Sequence, residues 1–465
     1  MIAGLALSLL LQGVAGDTVA LEDFQRRVLR HHPVAQAADL ALRRARFGVS
    51  LARGAFDPTV AAGLEQKRFK GIGYYDEFEL RATVPTPLGI DFKLGWERAD
   101  GEIINPERAT PSNGLLTAAV VVPLGRRIVT DERRTALKQA DAQLTAADAE
   151  RARGLLQLLA ESARSYGAWY EAAQRTDIAR EAERIAAFRL GAVRARVVAG
   201  DAAAIDTIEA RLELRSREVA RLDAENDLLA ARTAAGVFLW SEQGRAEVLA
   251  APRSPGAPAA WRAAPSVERE ARLAEEVRRA HPSVLRAEAR LSELRAGRAL
   301  ARQQWLPDAR VEFGALNAGS GAGDLFAFGD LSTNQKISGY ASQSLLMLRE
   351  RARIGQAEVG VDLGEWELTL AREQAVASLR IAAASWRALE AQRARQVEAV
   401  ADAQLLVAGE QRRFEAGESS LLIVNLRERA LVTERNALAR IEGRLIAAEA
   451  AFDLARGQLA DVLAR

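Results

Sequence analysis

Between about residues 130 and 198, and again between about 348 and 415, the chain runs without a proline. Read as continuous helix, each stretch would be on the order of 100 Å long, far more than an ordinary globular core can surround. Each ends in a short turn, VVAGDAAAID (197–206) or RFEAGESSLLI (413–423), after which a second run returns. The return runs space their apolar residues three and four apart. The first carries Ile205, Ile208, Leu212, Val219, Leu222 and Leu229; the second carries Leu431, Leu438, Ile441, Leu445, Ala448, Phe452 and Leu459. That spacing predicts coiled-coil seams, and with them two long antiparallel helical hairpins.

The two hairpins belong to an internal duplication. Residues 28–58 align without a gap on 277–307, keeping His32-Pro33 on His281-Pro282 and Pro58 on Pro307. Val28/Val277, Arg30/Arg279, Leu42/Leu291, Gly48/Gly297 and Arg53/Arg302 are among the identical pairs. Compositional bias alone would not preserve the spacing of both prolines, so the chain is a repeat. Each His-Pro is read as opening the first helix of its copy, with proline in the first turn where its missing N–H costs nothing. The second proline ends that helix and starts extended chain. The histidines are thus read as structural rather than as metal ligands, since no third ligand keeps a recognisable spacing.

Between the opening helix and the long hairpin each copy alternates apolar with charged residues. In 78–84 Phe78, Leu80, Ala82 and Val84 share one face; in 90–97 Ile90, Phe92, Leu94 and Trp96 do. Segments 59–65 and 115–122 are further strand candidates, as are 309–315 and roughly 336–343 around the Gly-rich stretch NAGSGAG (317–323). Such patterning suits a half-buried sheet or a barrel wall between lipid and water. The expected organisation is a first repeat over 17–250, with strands at about 59–122, a hairpin at about 130–235 and its tip at 199–201. A linker at 251–265 holds four of the thirteen prolines. A second repeat over 266–465 has strands at about 308–345, a hairpin at about 348–465 and its tip at 416–418.

Composition narrows the function classes. Lys and Arg total 64 against 62 Asp and Glu, so no polyanion partner such as nucleic acid is implied. There is no cysteine, which excludes disulfides, a thiol nucleophile and thiolate metal sites. No Ser/His/Asp or paired-carboxylate constellation stands out, and there is no phosphate loop, so no enzyme, cofactor or metal is expected. Residues 1–16 are an apolar run ending in small residues before Asp17, which reads as a secretory signal. No other segment is apolar over the length that a transmembrane helix needs, so membrane entry would be by strands.

With those features in place the chain resembles the TolC-like outer-membrane efflux protein family. The resemblance is carried by HHPVAQAADLALRRARFGVSLARGAFDP and its copy AHPSVLRAEARLSELRAGRALARQQWLP, by VVVPLGRRIVTDERRTALKQADAQL (120–144), and by the two turns with their return helices. It implies a mainly α chain with a transmembrane β part, assembling as a trimeric α/β-barrel tube. Four strands per chain would build a shared twelve-stranded outer-membrane barrel, and the helices would form a periplasmic coiled-coil tunnel. The implied function is the passive exit duct of a tripartite efflux or type I secretion system, joined by a periplasmic adaptor protein to an inner-membrane transporter. The strand candidates of one chain are too few to close a barrel, which independently asks for several copies.

The resemblance also implies site residues. The tips Ala199, Gly200, Asp201 and Ala416, Gly417, Glu418 would meet the adaptor. Acidic residues six and nine positions after the second tip glycine would ring the tunnel mouth, but this chain has Ile423 and Leu426 there. The same offsets in the first copy hold Asp206 and Glu209, one helical turn apart, as the candidate gate carboxylates. The alternative reading is a periplasmic adaptor or soluble coiled-coil scaffold; a single hairpin flanked by small β-domains would favour it, and the duplication argues against it.

Overall fold

The computed structural model describes residues 18–201, 203–247, 249, 253–258, 260–318, 328–329 and 332–459. The expected signal segment, 1–16, lies outside them. In chain order the elements are β1 (Thr18–Val19), α1 (Leu21–His31), α2 (Pro33–Arg53), β2 (Thr59–Phe69), β3 (Ile72–Pro85), β4 (Asp91–Asp100), β5 (Leu115–Pro123), α3 (Glu132–Ala199) and α4 (Ala204–Gly236). They continue as β6 (Ser254–Pro255), α5 (Val267–Ala280), α6 (Pro282–Gln303), β7 (Asp308–Asn317), β8 (Gln335–Ser342), α7 (Leu348–Glu415) and α8 (Leu421–Arg456). Helices α3 and α7 are each 68 residues long. Ala, Leu, Arg and Glu, all strong helix formers, dominate both, and no proline interrupts either ladder.

The chain packs as two compact units, and each draws on both sequence halves. One unit, formed by 42–148 and 286–370, contains a six-stranded sheet of order β2-β3-β4-β5-β7-β8 in which every pair is antiparallel. The resemblance implied four strands per chain, and six is the correction. The first copy supplies two hairpins where the second supplies one. The turn at 86–90 separates β3 from β4, so the alternating stretch reads as two long strands instead of one broken strand. Strand β3 also begins six residues before the predicted 78, because Ile72, Gly73, Tyr75 and Asp76 continue the ladder with β2 past an irregularity that leaves Tyr74 unmatched.

The other unit takes residues up to 41, 149–285 and 371 onward. Its core holds Phe24, Val28, Tyr166, Trp169, Leu239 and Ile446. The Tyr166 hydroxyl lies 2.6 Å from the Val19 carbonyl oxygen and 2.9 Å from that of Gly256, beside the short parallel pair β1–β6. Helices α3 and α8 approach so closely here that a Cβ on Gly443 would sit 2.5 Å from the Gly167 carbonyl oxygen.

The His-Pro dipeptides are joints between two helices rather than the starts of each copy's first helix, which corrects the sequence reading. Helix α1 precedes one and α5 the other. His32 and His281 adopt extended ψ values of 134° and 137°, since a residue before proline disfavours the helical region. Each then caps the helix that its proline opens. His32 Nδ1 accepts from the Val34 N–H at 3.2 Å, and His281 Nδ1 accepts from the Ser283 N–H at 3.2 Å.

Candidate functional site: the strand panel and the hairpin turns

The sheet has one mainly apolar face, interrupted at Arg98 and Gln335, and one mainly polar face. Across the ladder Ala82 pairs with Leu94, Leu94 with Ala118 and Ala118 with Ala315; Val84 pairs with Phe92, Phe92 with Val120, Val120 with Phe313 and Phe313 with Ile337. These residues and Leu80, Trp96 and Leu116 point to one side. From Phe78 to Val84 that side spans about 20 Å along the strand, near the height of an outer-membrane apolar belt. The Phe78 and Trp96 rings meet at its upper edge, 5.7 Å apart. The opposite face carries charge: Lys93 lies 2.7 Å from Glu312 across two strands, and Arg81 pairs with Glu79. Above them Glu65 stands opposite Glu77, and Glu79 opposite Glu97. A wall of this kind separates an apolar medium from a wet, charged one.

Strands β2 and β8 form the two edges, and every residue of both is exposed. Among the described residues their outer backbone groups have no partner strand. Among the described residues no helix is long and apolar enough to cross a membrane. No group of three or more His, Asp or Glu side chains there is placed to hold a metal ion.

The hairpin turns are built alike. Gly200 and Gly417 have φ of 85° and 78°, the left-handed conformation that glycine adopts without steric cost. The Asp201 N–H donates to the Arg196 carbonyl at 2.9 Å and the Gly200 N–H to Val197 at 3.1 Å. The second turn repeats this with Glu418 to Arg413 at 2.8 Å and Gly417 to Phe414 at 3.1 Å. Both are Schellman motifs, which satisfy the last carbonyls of α3 and α7. The Arg196 guanidinium lies over the Phe414 ring, 5.5 Å from its centroid, so the two turns sit side by side. A Cβ at either glycine would meet nothing within 4 Å.

Asp206 and Glu209 lie half-buried on the first two turns of α4. Ile423 is 40 % exposed and Leu426 59 % exposed on α8. Beside them is a charge network that sequence reasoning missed. Glu213, buried, pairs with Arg217 at 2.8 Å and, across from α4 to α8, with Arg429. Burial alone pushes the Glu213 carboxyl up, but the two guanidiniums outweigh it and hold it below the usual carboxylate range. Glu209 adds to the field on Arg429, whose own pKa is raised chiefly by its hydrogen bond to Glu213. A second link joins α3 to α8: Arg189 donates to Asn425 at 3.0 Å and pairs with Glu428. The Glu213–Arg217 spacing of four residues was legible; the Arg429 and Arg189 partners, more than 200 residues away, were not.

The chain thus combines a strand panel that has an apolar side with two long helical hairpins. No family model and no curated protein matches the chain. Solved structures do. The outer-membrane channel OprN is 19 % identical over 94 % of this chain and 89 % of its own, with a TM-score of 0.65. The outer-membrane protein VceC of Vibrio cholerae is 18 % identical over 94 % and 96 %, at 0.64. The Campylobacter jejuni CmeC outer-membrane channel is 11 % identical over 96 % and 88 %, at 0.67. This chain therefore shares the fold of these outer-membrane channels.

Proposed function

We propose that the chain is the outer-membrane exit duct of a tripartite efflux or type I secretion system, a passive conduit formed by three copies. The observation that carries this reading is the open six-stranded sheet with one apolar face. Lipid offers no partner for the backbone groups of β2 and β8, so the sheet is stable in a membrane only when copies join into a closed wall. The α4 seam supports the same conclusion. Ile205, Ile208, Leu212, Val219, Leu222 and Leu229 are all more than half exposed, a heptad stripe whose partner lies on another chain. In this reading the charged sheet face lines the pore, and the helices extend it through the periplasm. The turns Ala199–Asp201 and Ala416–Glu418 dock a periplasmic adaptor that couples the duct to an inner-membrane transporter.

Fractionation tests the proposal. The protein is expected in the outer membrane as an oligomer that resists detergent and falls to monomers on heating; a monomer soluble without detergent would establish the scaffold reading instead. The tunnel mouth is proposed at Asp206, Glu209, Ile423 and Leu426. Carboxylates repeated around a narrow axis repel one another and favour bound cations. In planar bilayers Asp206→Ala with Glu209→Ala should lower cation selectivity and divalent block. Unchanged conductance and selectivity would assign the mouth to Ile423 and Leu426.

A further inference from the structure

Resting on the three-copy duct just proposed, we infer that the β2–β3 hairpin is part of the shared wall, so that β8 of one copy pairs with β2 of the next and three copies close an eighteen-stranded barrel. Three observations converge on this junction. The edges run in opposite directions, β2 away from α2 and β8 back toward α7, so copies joined edge to edge continue the antiparallel order. Each pairing is heterologous and closes into a ring without leaving an edge.

The stagger of the sheet also fits. Through the ladder Thr59, at the lower end of β2, is level with Thr83, Lys93, Ala119, Gly314 and then Lys336. Lys336 lies six residues short of Ser342, where β8 ends beside the start of α7. If the lower ends of all strands share one membrane level, Thr59 of the next copy pairs with Ser342. Six residues of offset over six strands, at about 3.3 Å rise and about 4.8 Å between strands, is a tilt of about 35°. Closed membrane barrels have tilts of about 35–45°. The stagger needed for closure is thus already present within one chain, and it accumulates partly at the β2–β3 joint.

Finally, this register matches side chains on both faces. It sets Val60 beside Ala341, Ala62 beside Gly339 and Leu64 beside Ile337 on the apolar side. On the charged side it sets Glu65 opposite Lys336, supplying a cation to a carboxylate that within the chain faces Glu77 and accepts from the Tyr75 hydroxyl at 2.7 Å. A barrel of twelve strands would instead require β4 to meet β8, and the ten residue pairs joining β3 to β4 would have to be given up.

The chain has no cysteine, so paired cysteines report the junction directly. In outer membranes Val60→Cys with Ala341→Cys is expected to oxidise to covalent dimers and trimers, while Phe92→Cys with Ala341→Cys stays monomeric on denaturing gels. Cross-linking in the second pair, or in neither, overturns the inference while leaving the duct reading to stand on fractionation. A ladder that stops at dimers overturns the three-copy wall itself.

Discussion

Helices α4 and α8 hold the same place in the two halves, each the return arm behind a 68-residue helix, yet they bury different faces. The turn glycines Gly200 and Gly417 are 217 residues apart, and the same offset sets Leu229 on Ile446. Leu229 is 53 % exposed; Ile446 is 2 % exposed and part of the core with Tyr166 and Trp169. The first half therefore offers its seam outward, and the second half keeps its own inside. A duplicated unit can build a protomer and its interface at once when one copy specialises in each.

Substituting the matched pair gives the largest expected effect. Ile446→Glu places a carboxylate among apolar side chains and should cost on the order of 4 kcal/mol, enough to prevent folding. Leu229→Glu should change the stability of the isolated chain by no more than about 0.5 kcal/mol. It should nevertheless abolish the oligomer, because three charged seams cannot pack together. Yields of folded protein and of detergent-resistant oligomer separate the two effects. If Leu229→Glu assembles normally, the outward seam is not an interface.

Glycines sharpen the comparison at a smaller scale. Counterparts of Gly167 and Gly443 at the same offset are Ala384 and Asn226, so the α3–α8 close approach has no equivalent in the other pairing. Gly443→Ala drives a methyl group into a backbone oxygen and should cost about 1–3 kcal/mol. Gly417→Ala has open space and costs only the left-handed backbone, about 1 kcal/mol. The temperature at which the extracted oligomer dissociates should fall further for Gly443→Ala. The reverse order would mean that the helices part freely and the turn is the rigid element.

These asymmetries mark what the sequence could and could not convey. Hairpin lengths, turn positions and all six sheet strands were legible because proline-free runs, turn glycines and period-2 alternation are local signals. The face on which each seam would be buried was not legible, since Leu212 and Leu445 look alike as heptad residues and differ only in what packs on them. The division of β3 from β4 was readable as a turn, but its consequence for strand count was hidden by the resemblance to a four-strand plan. The Glu213–Arg429 and Arg189–Glu428 pairs belong to the same class of miss: ordinary helix charges until folding brings α3, α4 and α8 together.

The smallest effect concerns the His-Pro joints, where the halves again share a device and differ in setting. Each joint packs beneath the end of its own half's return helix. His32 stacks on Phe238, centroids 5.9 Å apart, just past α4; His281 Nε2 lies 3.4 Å from the Leu454 carbonyl oxygen near the end of α8. Both rings must be unprotonated at Nδ1 to accept the capping N–H, and burial lowers both pKa values from the ordinary 6.5. The folded chain therefore binds fewer protons than the unfolded chain below about pH 6.5. Stability from the joints is complete above that value and declines as pH falls from about 6.5 toward the lowered folded pKa values. His281→Asn and His32→Asn keep an acceptor for the cap, worth about 1 kcal/mol, and cannot titrate. Thermal unfolding between pH 7.5 and 5.0 should fall less steeply for each variant than for the parent, and less steeply still for the double variant. Because His281 is the more deeply enclosed of the two rings, its variant should flatten the profile more. Parallel pH profiles for parent and variants would show that the rings titrate alike in the folded and unfolded chains, and that the caps hold without a neutral imidazole.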